Sequence, residues 1–83
     1  MPLFVLLDEP ADPAINTQVL RHYFQKFENA VQAAYDEISA SRDNLESTIL
    51  PACDNENNVV GYALFSPNDE LVEMITVQAV YPA

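Results

Sequence analysis

DPAINTQVLRHYFQKFENAVQAAYDEISAS, residues 12–41, is the stretch on which the fold turns. It opens with Asp12-Pro13, an acid able to cap a helix followed by proline, whose fixed φ suits the first helical position. No glycine and no further proline follow before Ser41. Leu20, Phe24, Phe27, Val31, Ala34 and Ile38 recur at spacings of three and four, with Tyr23 and Tyr35 beside the same stripe. Gln18, Gln25, Glu28 and Gln32 fall on the opposite side. That pattern predicts one long amphipathic helix with an aromatic-rich face, closed by Ser39, Ser41, Asp43 and Asn44.

Outward from this helix the periodicity changes. Leu3-Phe4-Val5-Leu6-Leu7, bounded by Pro2 and Pro10, reads as a strand buried on both faces, and Asp8-Glu9-Pro10-Ala11 as a turn. On the far side Leu45 to Ala52 alternates and reads as a strand. Asp54-Asn55-Glu56-Asn57-Asn58 is a turn of residues that tolerate positive φ. Val59 to Phe65 and Leu71 to Val80 are two more strands, joined through Ser66-Pro67-Asn68-Asp69. Short connections favour antiparallel neighbours. The expectation is an α+β protein, a single domain over residues 1–83, with one long helix on a four-stranded, mainly antiparallel sheet in the order β-α-β-β-β. One helix covers one sheet face, yet both faces of the late strands carry apolar residues. The second face is therefore expected to meet a second copy of the chain or a target.

Charge sets the functional limits. Thirteen Asp and Glu stand against three Lys and Arg, a formal net charge of −10 in 83 residues, of which 49% are hydrophobic. So acidic a surface repels nucleic-acid and membrane phosphates and attracts basic proteins, which argues against direct nucleic-acid or membrane binding. No run approaches the ~20 apolar residues of a membrane helix, and the short apolar N-terminal run lacks the basic flank of a signal peptide. With Cys53 the only cysteine, a reducing compartment fits. The sequence reads as cytoplasmic, in the host cytoplasm if virus-encoded.

Chemistry-bearing patterns are sparse. His22 is the only histidine, and nothing in the sequence brings it to Cys53 as a dyad, so a small enzyme using that pair ranks last among the readings. Gly61 is the only glycine, which excludes a glycine-rich phosphate cradle. The segment Asp54 to Phe65 lacks a glycine at its sixth position and the final glutamate of a calcium loop. No catalytic residue, metal or cofactor is expected.

The acids, in contrast, come in groups. Asp36 and Glu37 lie near the expected helix C-terminus, where the macrodipole disfavours them. Asp43 and Glu46 follow, then Asp54 and Glu56 in the next turn. These six, neighbours along the chain, are the expected partner-binding residues: a row of carboxylates can imitate a phosphate backbone and occupy a basic groove. A solvating role for the same acids is the plain alternative.

Glu46-Ser47-Thr48-Ile49-Leu50-Pro51 distantly resembles the Glu-Ser-Ile edge-strand segment of uracil-DNA glycosylase inhibitors, over six residues and with Thr48 inserted. More broadly the chain resembles the small acidic inhibitors that phages direct at host nucleic-acid enzymes, anti-CRISPR and anti-restriction proteins among them. An Asn-rich turn stands where the glycosylase inhibitors have a second helix. The resemblance implies a non-enzymatic DNA mimic that blocks a basic, nucleic-acid-handling protein. The competing expectation is a structural or assembly protein that forms a homodimer through its apolar sheet face.

Overall fold

Gln18 to Phe24 is a strand, and this changes the architecture expected from the sequence. The computed structural model describes residues 2–81. Its elements are β1 (Leu3–Pro10), β2 (Gln18–Phe24), α1 (Phe27–Ser41), β3 (Thr48–Cys53), β4 (Val59–Phe65) and β5 (Leu71–Val80). The class is α+β with one helix on an antiparallel sheet, but the sheet has five strands, ordered β2-β1-β5-β4-β3, in place of four. The chain order is β-β-α-β-β-β, and the helix begins at Phe27, about four turns later than Asp12-Pro13 predicts.

The capping chemistry at Asp12 is spent on a turn. Its Oδ1 accepts the Ala14 N–H at 3.0 Å, and its carbonyl accepts the Ile15 N–H. The chain then reverses onto β1, where Val19, Tyr23 and Phe24 suit a pleated surface. Phe24 pairs with Phe4 and Leu20 with Leu6, so residues 21–23 of β2 bulge opposite Val5 alone. Leu20 and Phe24 thus reach one core from a strand. Their four-residue spacing, which suits a helix face, equally suits two same-face positions of a strand.

α1 starts without a side-chain cap at Lys26 and ends at Arg42, whose N–H bonds the Ser39 carbonyl. Ala30, Ala34 and Ile38 are fully buried against Leu6, Leu64 and Ile75. Two alanines at the contact let the helix lie close to the sheet. The aromatics sit at its rim: Phe27 meets Phe4 edge-on at 5.6 Å, and Tyr35 meets Tyr62 at 5.1 Å.

Registers assign the sheet faces, because directly paired residues point the same way. Phe4, Leu6, Tyr62, Leu64, Ile75 and Val77 lie under the helix. Leu3, Val5, Leu7, Gly61, Ala63, Met74 and Thr76 form the face without a helix. Exposed apolar residues at the edges of that face include Val19 at 56% and Leu50 at 47%.

β4 and β5 occupy the expected ranges. β3 begins three residues later than expected, because Asn44 organises a turn. Its Oδ1 takes the Glu46 N–H, its carbonyl takes the Ser47 N–H, and the Arg42 guanidinium donates to the Asn44 and Leu45 carbonyls. Gly61 lies against the β5 backbone, where a Cβ would lie 2.7 Å from the Thr76 Cα and collide with the Ile75 carbonyl oxygen.

Candidate functional site

Strand directions bring six chain segments to one end of the molecule. β1 ends there at Pro10, opposite Glu73 near the start of β5. β4 ends there at Phe65, paired with Leu71 of β5 and with Thr48 at the start of β3. β2 begins there at Gln18, opposite Asp8. α1 runs the same way as β1, from Phe27 beside Phe4 to Ser41 near Asp8.

These segments carry most of the charge. Asp8 and Glu9 come from β1, and Asp12 from the turn after it. Asp36 and Glu37 come from the last turns of α1. Asp43 and Glu46 come from the α1–β3 connection, Asp69 and Glu70 from the β4–β5 turn, and Glu73 from β5. Arg42 is the base at this end, and it is engaged with backbone carbonyls. The acid pole so formed holds ten of the thirteen acids. The helix C-terminus adds the negative end of its macrodipole. Lys26 and Glu28 lie at the opposite end, as does the 54–58 turn.

Of the six acids expected from the sequence, Asp36, Glu37, Asp43 and Glu46 are therefore brought together. Asp54 and Glu56 are not. The six residues of β3 separate them from the pole by about 20 Å at the usual rise per residue. Asp54 instead organises its own turn, where its Oδ1 accepts the Glu56 N–H at 2.8 Å and the Asn58 N–H at 3.0 Å. Those backbone donors, Asn58 first, hold its carboxyl below the usual range.

Asp8 and Glu73 were not singled out by the sequence reading. Asp8 shares the face of Phe4 and Leu6, and Glu73 the face of Ile75 and Val77, so both acids stand in core phase under the end of α1. With Leu64, Val72 and Ser41 they line a cleft of about 410 Å³. The Oδ1 of Asp8 is sealed from solvent and has no hydrogen-bond donor. Desolvation, then the hydrogen bond and charge of Glu73, then the charge of Glu37, raise the Asp8 pKa from its ordinary 3.8 to about 7. The signal was present in the sequence as parity: an acid two residues beyond Leu6, and another two residues before Ile75.

The arrangement can bind and repel charge. His22 and Cys53 lie on β2 and β3, the two edges of the sheet, about 19 Å apart by strand spacing, and form no dyad. Among the described residues no group of three His, Cys, Asp or Glu is placed to hold a metal ion, and no helix is long and apolar enough to cross a membrane. Compared with known protein families, curated proteins and solved structures, the chain matches none.

Proposed function

We propose that this chain is a non-enzymatic, acidic protein-binding domain that presents its acid pole to a basic, nucleic-acid-handling protein and blocks the groove there. The observation that carries this reading is the segregation of charge: ten of the thirteen acids gather at one end of the molecule. A solvating coat would spread them. Concentrated at one end, they steer a cationic partner into one orientation and compete with phosphates for the same Lys and Arg. Asp36, Glu37, Asp43 and Glu46 are the proposed contacts from the sequence reading, and Asp69 and Glu70 join them.

Affinity capture and mass spectrometry would identify the partner, and titrations at several salt concentrations would test the pole. Neutralising Asp43, Glu46, Asp69 and Glu70 together should weaken binding at least a hundredfold and flatten its salt dependence. Neutralising Asp54 and Glu56 should change it less than threefold. Equal losses, or a partner that binds this chain and DNA at once, would defeat the proposal.

A second reading, a homodimeric assembly protein, is favoured by the apolar sheet face that α1 leaves uncovered, with Leu7, Met74, Val19 and Leu50 on it. Light scattering separates the two. A dimer indifferent to salt supports assembly, and a monomer supports the blocker.

A further inference from the structure

Asp8 and Glu73 line the cleft beneath the last turn of α1 as diagonal cross-strand neighbours, since Asp8 pairs with Ile75 and Pro10 with Glu73. Among the described side chains, the charged groups that act on Asp8 are acids. β5 supplies Glu73 and α1 supplies Glu37. β2 offers Gln18 and β4 offers Leu64, neither of which titrates. Asp12, in the adjoining turn, is exposed, with its Oδ1 on the Ala14 N–H. Arg42 points its guanidinium at the Asn44 and Leu45 carbonyls. An ionised Asp8 therefore faces two like charges with one oxygen buried and without a donor. A protonated Asp8 instead donates its O–H to a Glu73 oxygen, and the repulsion from Glu37 falls away.

We infer that Asp8 is a proton-operated latch: with its proton it ties β1 to β5 through Glu73, and on losing that proton to solvent it repels Glu73 and Glu37 and loosens the end of α1 over the cleft. No bond other than the O–H changes, and no co-reactant is needed. Ser41 of α1 and Gln18 of β2, which border the cleft, are the parts the latch would free. The inference needs no partner, so it stands apart from the proposed function. Its bearing on that function is that the acid pole gains one negative charge as the latch opens.

The test is carboxyl ¹³C NMR titration of Asp8 together with amide hydrogen exchange, in the wild-type chain and in Glu73→Gln. In the wild type the Asp8 carboxyl should titrate near pH 7. Protection of the Ile38–Ser41 amides, corrected for intrinsic exchange, should fall about fivefold to tenfold across the same range. In Glu73→Gln both transitions should move down together by at least one pH unit. An Asp8 midpoint below pH 5, or a midpoint near 7 with unchanged exchange at 38–41, overturns the inference. If Glu73→Gln does not fold, the two wild-type readouts decide the matter alone.

Discussion

Replacing Asp8 by Asn turns the buried acid into a measurable stability term. The folded state holds the Asp8 proton up to about pH 7, whereas the unfolded chain releases it near 3.8. Below pH 4 both states are protonated and nothing is lost. Between pH 4 and 7 the unfolded state ionises while the folded state keeps its proton, so stability falls as pH rises. Above pH 7 both states are ionised and the loss is complete. At 1.36 kcal/mol per pH unit the ceiling is about 4 kcal/mol. Asp8 is half-buried, and solvent screens its repulsion from Glu73 and Glu37, which brings the expected loss to about 2 kcal/mol. Asn has no such transition and can donate its amide to Glu73. Urea unfolding followed by circular dichroism, from pH 4.5 to 8.5 at fixed salt, gives the difference between the two chains. Asp8→Asn should exceed the wild type by about 0.5 kcal/mol at pH 4.5, where the unfolded carboxyl is already mostly ionised, and by about 2 kcal/mol at pH 8, about 10 °C in Tm for a domain of this size. Parallel curves, or a variant less stable at pH 8, would refute the reasoning.

Other perturbations have equally direct readouts. Gly61→Ala should destabilise by about 3 kcal/mol, because the added Cβ meets β5 backbone that has no flexible side chain to yield, and a lower urea midpoint with unchanged m-value would show it. Ile38→Ala removes a fully buried side chain between Leu64 and Ile75 and should cost about 3 kcal/mol in the same assay. Cys53 is exposed and unpaired, so Cys53→Ser should stay within about 0.5 kcal/mol of the wild type and leave any partner affinity unchanged.

Val59–Phe65 and Leu71–Val80 were legible because each is a β-rich run closed by a turn of recognisable chemistry. Ser66 Oγ accepts the Asn68 and Glu70 N–H groups, and Asn57 and Asp69 take the positive φ their short polar side chains tolerate. β2 was not legible. Leu20 and Phe24 satisfy both a helix and a bulged strand, and only pairing with β1, a tertiary event, selects between them. Ala30, Ala34 and Ile38 were visible as a helical stripe, but Phe27 and Tyr35, the larger residues, were displaced to its rim because the alanines let the backbone approach the sheet. At the candidate site, adjacency along the chain was a sound guide from Asp36 to Glu46 and failed at Asp54, where a strand intervenes. Asp69, Glu70 and Glu73 reach the pole through hairpin direction. Asp8 and Glu73 were hidden by reading Asp8 as part of a turn, although β1 continues to Pro10.

The cost of each acid differs between the two ends, and this bears on what the pole is for. At the far end the charges are well placed: Glu28 sits in the first turn of α1, where the macrodipole favours it, and Asp54 is held by backbone N–H groups. At the pole three of them are badly placed. Asp36 and Glu37 approach the negative end of the helix, whose last turn holds no basic residue, and Asp8 is desolvated beside two other acids. Natural chains retain locally unfavourable groups chiefly where function requires them. A solvating coat predicts no such division, since any exposed position serves it. The two accounts separate in one experiment. Neutralising Asp36 and Glu37 together should stabilise the fold by about 1 kcal/mol, about 5 °C in Tm, while weakening capture of a basic partner. Neutralising Glu28 and Asp54 should lower Tm and leave capture intact. If the pole variant gains stability and loses no binding, the acids there are ballast, and the blocker reading goes with them.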